Sequence, residues 1–182
     1  MIGVALEFTG ESKKVLARLE RETPRTFRAA HAAAATRAQN RLRKVMRKEG
    51  GVYGVPKFVP RHEMTRLMRP GLPFGGKLSE KAHIVKYKKG NGQVIGWVDR
   101  LSEWASAFQG AERYAFQPWQ RRFFHQKHRS LDGFRIPTWY NRPERKIIDP
   151  FAADLSKEFL GMVLEMYNKY ARNRMKKGQA VL

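Results

Sequence analysis

The sequence predicts an α+β fold, in which a long basic N-terminal helix and a C-terminal helix pack on a small antiparallel sheet, from three observations. Apolar residues alternate at the start, Ile2, Val4, Leu6 and Phe8, as they do along one face of a strand. Two long stretches near the ends carry apolar residues every three to four positions, the period of a helix that buries one side. Between them lie two strand-like segments separated by Gly90-Asn91-Gly92, which supplies the positive φ of a tight turn. At 182 residues the chain fits a single domain, 1–182, with a protruding arm at about 111–146.

The first strand is ended by Thr9-Gly10 and followed by a helix with Val15, Leu16 and Leu19 on its stripe. Thr23-Pro24 then supplies an N-cap and an N1 proline for a second helix, so the helical region bends there. That helix recurs apolar at Phe27, Ala30, Ala34, Ala38, Leu42 and Val45, the alanines favouring close approach of another element. Its other face carries Arg28, Arg37, Arg41, Arg43, Lys44, Arg47 and Lys48 until Gly50-Gly51 stops it. From Tyr53 to Gly76 the chain reads mostly as connector, with one short helix at Pro60 to Met68 that turns Met64, Leu67 and Met68 inward. The hairpin strands hold Ala82, Ile84, Val85 and Tyr87, then Val94, Ile95, Trp97 and Val98. Ser102 is read as the cap of a short helix with Trp104, Ala105 and Phe108 inside, ended by Gly110.

Periodicity is lost from Glu112 to Lys146, where Tyr114, Phe116, Trp119, Phe123, Phe124, Phe134, Trp139 and Tyr140 are interleaved with arginines and lysines. A stretch this long without regular structure reads as a functional arm or a segment ordered by a neighbour. Asp149-Pro150 opens the last helix, with Phe151, Leu155, Phe159, Met162, Val163, Met166 and Tyr170 on its stripe. Its basic end, Arg172, Arg174, Lys176 and Lys177, suits the negative pole of the helix dipole.

Charge narrows the function. A formal +21, with a pI near 10.8, works against compaction and points to a negative partner. Cysteine is absent, which removes disulfide frameworks and thiolate metal sites and favours a reducing compartment or a virion interior. No apolar run approaches the roughly 20 residues needed to span a bilayer, and the start has no signal-peptide character, so a soluble intracellular product is expected.

Reactive chemistry is scarce. Gly71 to Lys77 has the spacing of a phosphate loop, but Leu78 stands where the magnesium-binding Ser or Thr belongs and no apolar strand precedes it. His125 and His128 are three apart without a third ligand, and read as a surface pair. Asp99 and Glu103 fall short of the convergent acids of a metal nuclease, and Glu11, Glu20 and Glu22 balance charge on the first helix. Ser102 has no nucleophile context. No enzyme activity, cofactor or metal is expected.

The arm has two readings: aromatics stacking the bases of single strands between phosphate-contacting arginines, or aromatics and arginines at the centre of a subunit interface. The interface is favoured, because the arm sits between two well-patterned elements that hold it as a protrusion. Completion of the core stays open for Phe134, Ile136 and Trp139, as does a merely solvated surface for the basic face of the second helix.

The order of parts resembles the tailed-phage neck and tail-completion proteins, the group that includes minor tail protein Z and related virion-morphogenesis proteins. The resemblance runs from the basic, alanine-rich helix Arg25 to Lys48 through the hairpin to Trp104-Ala105-Ser106-Ala107-Phe108-Gln109-Gly110. It continues with Ile136-Pro137, Arg142-Pro143 and Ile147-Ile148-Asp149-Pro150-Phe151. The arm between Gly110 and Ile136 is longer and more aromatic than that pattern requires, so contacts through it are not carried over. The resemblance implies a non-catalytic subunit assembling as a homo-oligomeric ring, a hexamer, at the head-proximal end of a tail or in the neck. Its partners would be the tail terminator or tube and the head connector, around the DNA passage. Its location would be the virion, after assembly in the host cytoplasm.

On this basis Trp119, Phe123, Phe124, Trp139 and Tyr140 are expected to make subunit contacts. Arg37, Arg41, Lys44, Arg121 and Arg122 are expected to face DNA or acidic partners without reading sequence. The rival reading is a cellular, sequence-independent nucleic-acid-binding protein, ribosome-associated or DNA-compacting. A metal-dependent nuclease ranks last.

Overall fold

In the computed structural model, which describes residues 2–6, 10–60, 63–68, 76–89, 92–110 and 112–177, two long helices carry the body. Helix α1 (Gly10–Glu22) is followed after one residue by α2 (Pro24–Arg47), and the chain closes with α6 (Ile148–Lys176). All six stripe residues predicted on α2 are buried, and Ala35, Gln39 and Met46 join them. The small side chains Ala30, Ala34 and Ala38 let α6 approach closely, bringing Phe151, Leu155, Phe159, Met162, Val163 and Met166 into the core. Each fully buried Leu or Phe on these faces contributes about 1.5–3 kcal/mol. The helices run antiparallel, since Thr26 meets Arg174, Arg37 meets Glu165 and Arg41 meets Glu158.

Thr23 sits at the predicted break, with Pro24 in the first turn of α2, but it is not a side-chain cap. Its hydroxyl donates back to the Leu19 carbonyl at 2.9 Å, closing α1 instead. The far end of α2 stops one residue earlier than the glycines suggest. Glu49 takes the left-handed conformation (φ 59°), and the Gly50 amide bonds the Val45 carbonyl at 3.0 Å, the 6→1 bond of a Schellman ending. The following loop is more than a connector. Tyr53 (φ 53°) and Gly54 (φ 71°) form a tight turn between Val52 and Val55, and Val55 and Phe58 are buried in the main core.

The sheet has the order β1-β3-β2, from β1 (Ile2–Leu6), β2 (Val85–Lys89) and β3 (Gly92–Trp97), all antiparallel. Val94 to Trp97 are buried at every position, the mark of a central strand covered on both faces. The predicted hairpin therefore stands, its Gly90-Asn91 lying outside the described residues, as do Phe8, Thr9 and Gly71 to Gly75 of the phosphate-loop spacing. Ala82 is not in the strand but exposed in a 3₁₀ turn, Lys81–His83.

Helix α4 (Asp99–Gln109) begins three residues before Ser102, whose hydroxyl donates to the Asp99 carbonyl at 2.7 Å inside the first turn. It ends at Gly110 as predicted and buries Ala105, but Trp104 lies outside, 42% exposed under the Arg100 guanidinium, while the side chain of Phe108 lies outside the described residues.

The region from 112 to 146 corrects the sequence reading most. It is folded: β4 (Glu112–Ala115) pairs with β5 (Trp139–Arg142), and between them stand α5 (Pro118–Lys127) and a 3₁₀ turn, Arg129–Leu131. A second small core, Met64, Leu131 and Ile136, gathers Leu67, Met68, Phe116, Phe124 and Phe134 around it. The short helix α3 (Glu63–Met68) thus turns its apolar side inward as predicted, but toward the arm.

Candidate functional site

The basic face of α2 divides into two parts. Toward the middle of the helix its arginines have partners on α6. Arg37 makes a two-pronged ion pair with Glu165, at 2.6 and 3.0 Å, and Arg41 pairs with Glu158. The hydrogen bond to Glu165 raises the Arg37 guanidinium above its ordinary value, and the bond from Arg37 holds the Glu165 carboxyl below the usual glutamate range. Arg41 also lies over the Tyr53 ring, 4.9 Å from its centroid. Of the predicted electrostatic contacts on this helix, Arg37 and Arg41 therefore clamp α2 to α6.

One turn further on, the surroundings change. Asn40, Arg43, Lys44, Arg47 and Lys48 line an open depression together with Lys81 from the turn before β2, and among the described residues no carboxylate lines it. The geometry has local causes. Gln39 donates to the Lys81 and Ile84 carbonyls, and Arg43 Nε to the Ser79 carbonyl at 3.3 Å, so the segment 79–84 is held along α2 with Lys81 beside the helical cations. The Lys44 ammonium sits 5.6 Å from the Tyr53 centroid. Sequence reasoning named Lys44 for contact and placed Arg43, Arg47 and Lys48 on the same face. It missed Lys81, because the ties through Gln39 and Arg43 link positions some forty residues apart.

The arm supplies the second surface. Trp119 is 66% exposed, Trp139 51% and Phe123 47%. Arg113 covers the Trp139 ring at 4.4 Å and Lys127 the Phe123 ring at 5.3 Å, which combines apolar area with positive charge. Phe124, predicted as a contact, faces the arm's own core instead, packed edge-on against Phe116 and stacked with His128. Arg122 is exposed and Arg121 half-buried on α5. Of the residues left open between core and interface, Ile136 and Phe134 complete the small core and Trp139 does not.

The arm is rooted by Gln109. Its side-chain oxygen accepts the Ile148 amide at 3.0 Å, its backbone carbonyl accepts the Arg145 amide at 2.8 Å, and Arg142 Nε donates to the Gly110 carbonyl at 3.2 Å. Arg145 is buried at this root. Burial lowers its guanidinium from the ordinary value, opposed by Tyr140, to which it hydrogen-bonds. Tyr140, predicted as a subunit contact, thus serves the root of the arm. The Trp104–Gly110 and Ile147–Phe151 segments, far apart in sequence, meet here.

Among the described residues no three of His, Cys, Asp or Glu gather as metal ligands, and no helix is long and apolar enough to cross a membrane. Compared with known proteins, the chain matches no family model, no curated protein and no solved structure.

Proposed function

We propose that this chain is a non-catalytic structural subunit of a tailed-phage virion, placed in the neck or at the head-proximal end of the tail. There it forms a ring, a hexamer, that completes the tail and joins it to the head connector around the DNA passage. The observation that carries the reading is the arm. It is an excursion rooted at Gln109 and packed with α3 around a small core of its own, and it turns Trp119, Phe123 and Trp139 to the outside. Large exposed aromatics beside arginine are the residues that anchor protein interfaces. An arm of this kind reaching the body of the next copy makes a heterologous contact, which closes into a ring when the rotation permits. Electron microscopy of the purified protein, alone and with tail tubes, tests the proposal. Rings, or a collar of subunits at one tube end, are the expected result. Protein that stays monomeric and ignores tubes overturns it.

The carboxylate-free depression on α2 favours a second reading, a cellular protein that binds nucleic acid without sequence preference. That protein would compact DNA as an isolated monomer, an outcome visible in the same images.

A further inference from the structure

We infer that the depression lined by Asn40, Arg43, Lys44, Arg47, Lys48 and Lys81 holds the phosphate backbone of double-stranded DNA and reads no bases. The inference deepens the proposed function and rests on its reading of a ring around a DNA passage.

Three of the cations stand on α2 and Lys48 is its C-cap, which gives two i,i+4 pairs, Arg43 with Arg47 and Lys44 with Lys48, so like charges repeat about every 6 Å along the helix. Like charges at this spacing destabilise a helix by a few tenths of a kcal/mol per pair, a cost offset in part by the helix dipole, which favours cations in the last turn, by the Arg43 bond to the Ser79 carbonyl and by the Lys44 contact with the Tyr53 ring. The helix end is already closed by the Gly50 bond to Val45, and the Lys57 ammonium already bonds the Lys48 carbonyl at 3.1 Å. Toward the middle of the helix the arginines Arg37 and Arg41 are neutralised by Glu165 and Glu158, whereas among the described residues no such acid lines the depression. An external polyanion supplies the missing charge.

The lining chooses between polyanions. It contains no apolar or aromatic residue, so it lacks the anchor that an acidic protein segment would need, and lysine is depleted at the centre of protein interfaces. Among the described residues no aromatic ring lines it as a stacking platform for bases, so single strands gain little over a duplex. Rows of cations on one helix face match a regular line of phosphates, and such contacts position a duplex without carrying sequence information.

Binding of the full-length protein to a random-sequence duplex, measured by fluorescence anisotropy from low to physiological salt, tests this. The variant Lys44→Gln/Arg47→Gln/Lys48→Gln/Lys81→Gln leaves Arg43 on the Ser79 carbonyl. The control Lys13→Gln/Arg25→Gln/Arg28→Gln/Lys157→Gln removes the same net charge from exposed positions elsewhere. The first should bind at least about tenfold more weakly at physiological salt, with the magnitude of its salt slope lower by about 3 to 4, roughly one unit per lost contact. The control should change by less than about threefold. Equal losses in both variants overturn the inference, as does a polyglutamate peptide that binds the depression more tightly than the duplex, or wild-type protein that binds no duplex at low salt. Oligomer mass, recorded on the same samples, keeps the two claims apart. Rings without patch-dependent binding sink only this inference, and patch-dependent binding by a strict monomer sinks only the ring.

Discussion

Gly50 shows how one residue fixes the junction between α2 and the loop that packs beneath the core. It takes φ 74°, and a Cβ built there would fall inside the van der Waals shell of the Pro56 carbonyl oxygen. Gly50→Ala therefore meets both a conformational and a steric penalty, and should lower the unfolding free energy by about 2–4 kcal/mol in denaturant titration. A loss below about 0.5 kcal/mol would show that the loop yields freely. The Arg37–Glu165 pair makes a pH-dependent contribution. Because the Glu165 carboxyl titrates lower in the folded than in the unfolded chain, its contribution is full above the ordinary glutamate range and fades as the pH falls through the folded value. Stability of the wild type should decline more steeply than that of Glu165→Gln between about pH 5 and pH 3, and parallel profiles would contradict the pairing. Apolar stripes at this scale were legible, because periodicity states them directly, as at Phe27, Ala34 and Leu42. Partners were not. Arg37 and Arg41 look like free surface cations until the fold brings Glu165 and Glu158 across from α6.

The same contrast holds for elements. Local signals suffice for α2, α6 and the β2–β3 hairpin, whereas the pairing of β1 with β3 and of β4 with β5 joins distant segments that no local pattern announces. Helix α5 did leave a signal, Gln117-Pro118 followed by Gln120, whose side chain accepts the Gln117 amide at 2.9 Å in a capping box. Its aromatics obscured the helical period, because Trp119 and Phe123 point outward and only Phe124 reaches the small core. That core makes the arm and α3 together a separate packing unit. Leu131, fully buried at its centre, should cost about 2–5 kcal/mol of local stability when replaced by Ala. Hydrogen exchange should then show lost protection across 112–142 while α2 and α6 keep theirs. Equal loss throughout would mean that arm and body unfold together.

At the scale of the whole molecule, the +21 charge is unevenly used. Part of it is used internally, in the α2–α6 clamp and the buried Arg145 at the arm's root, and part is gathered where, among the described residues, no carboxylate answers it. Among the described residues the three most exposed large aromatics, Trp119, Trp139 and Phe123, lie elsewhere, on the arm. On the proposed reading, the body meets a polyanion and the arm meets a neighbouring subunit, a division of labour that suits a ring around DNA. The mass distribution of the wild-type protein and of Trp119→Ala/Phe123→Ala, followed by mass photometry as concentration rises, tests that account most directly. One closed oligomer is expected for the wild type and folded monomers for the variant, with an unchanged far-UV circular dichroism spectrum. A wild type that stays monomeric throughout, or a variant that assembles as readily as the wild type, would contradict it.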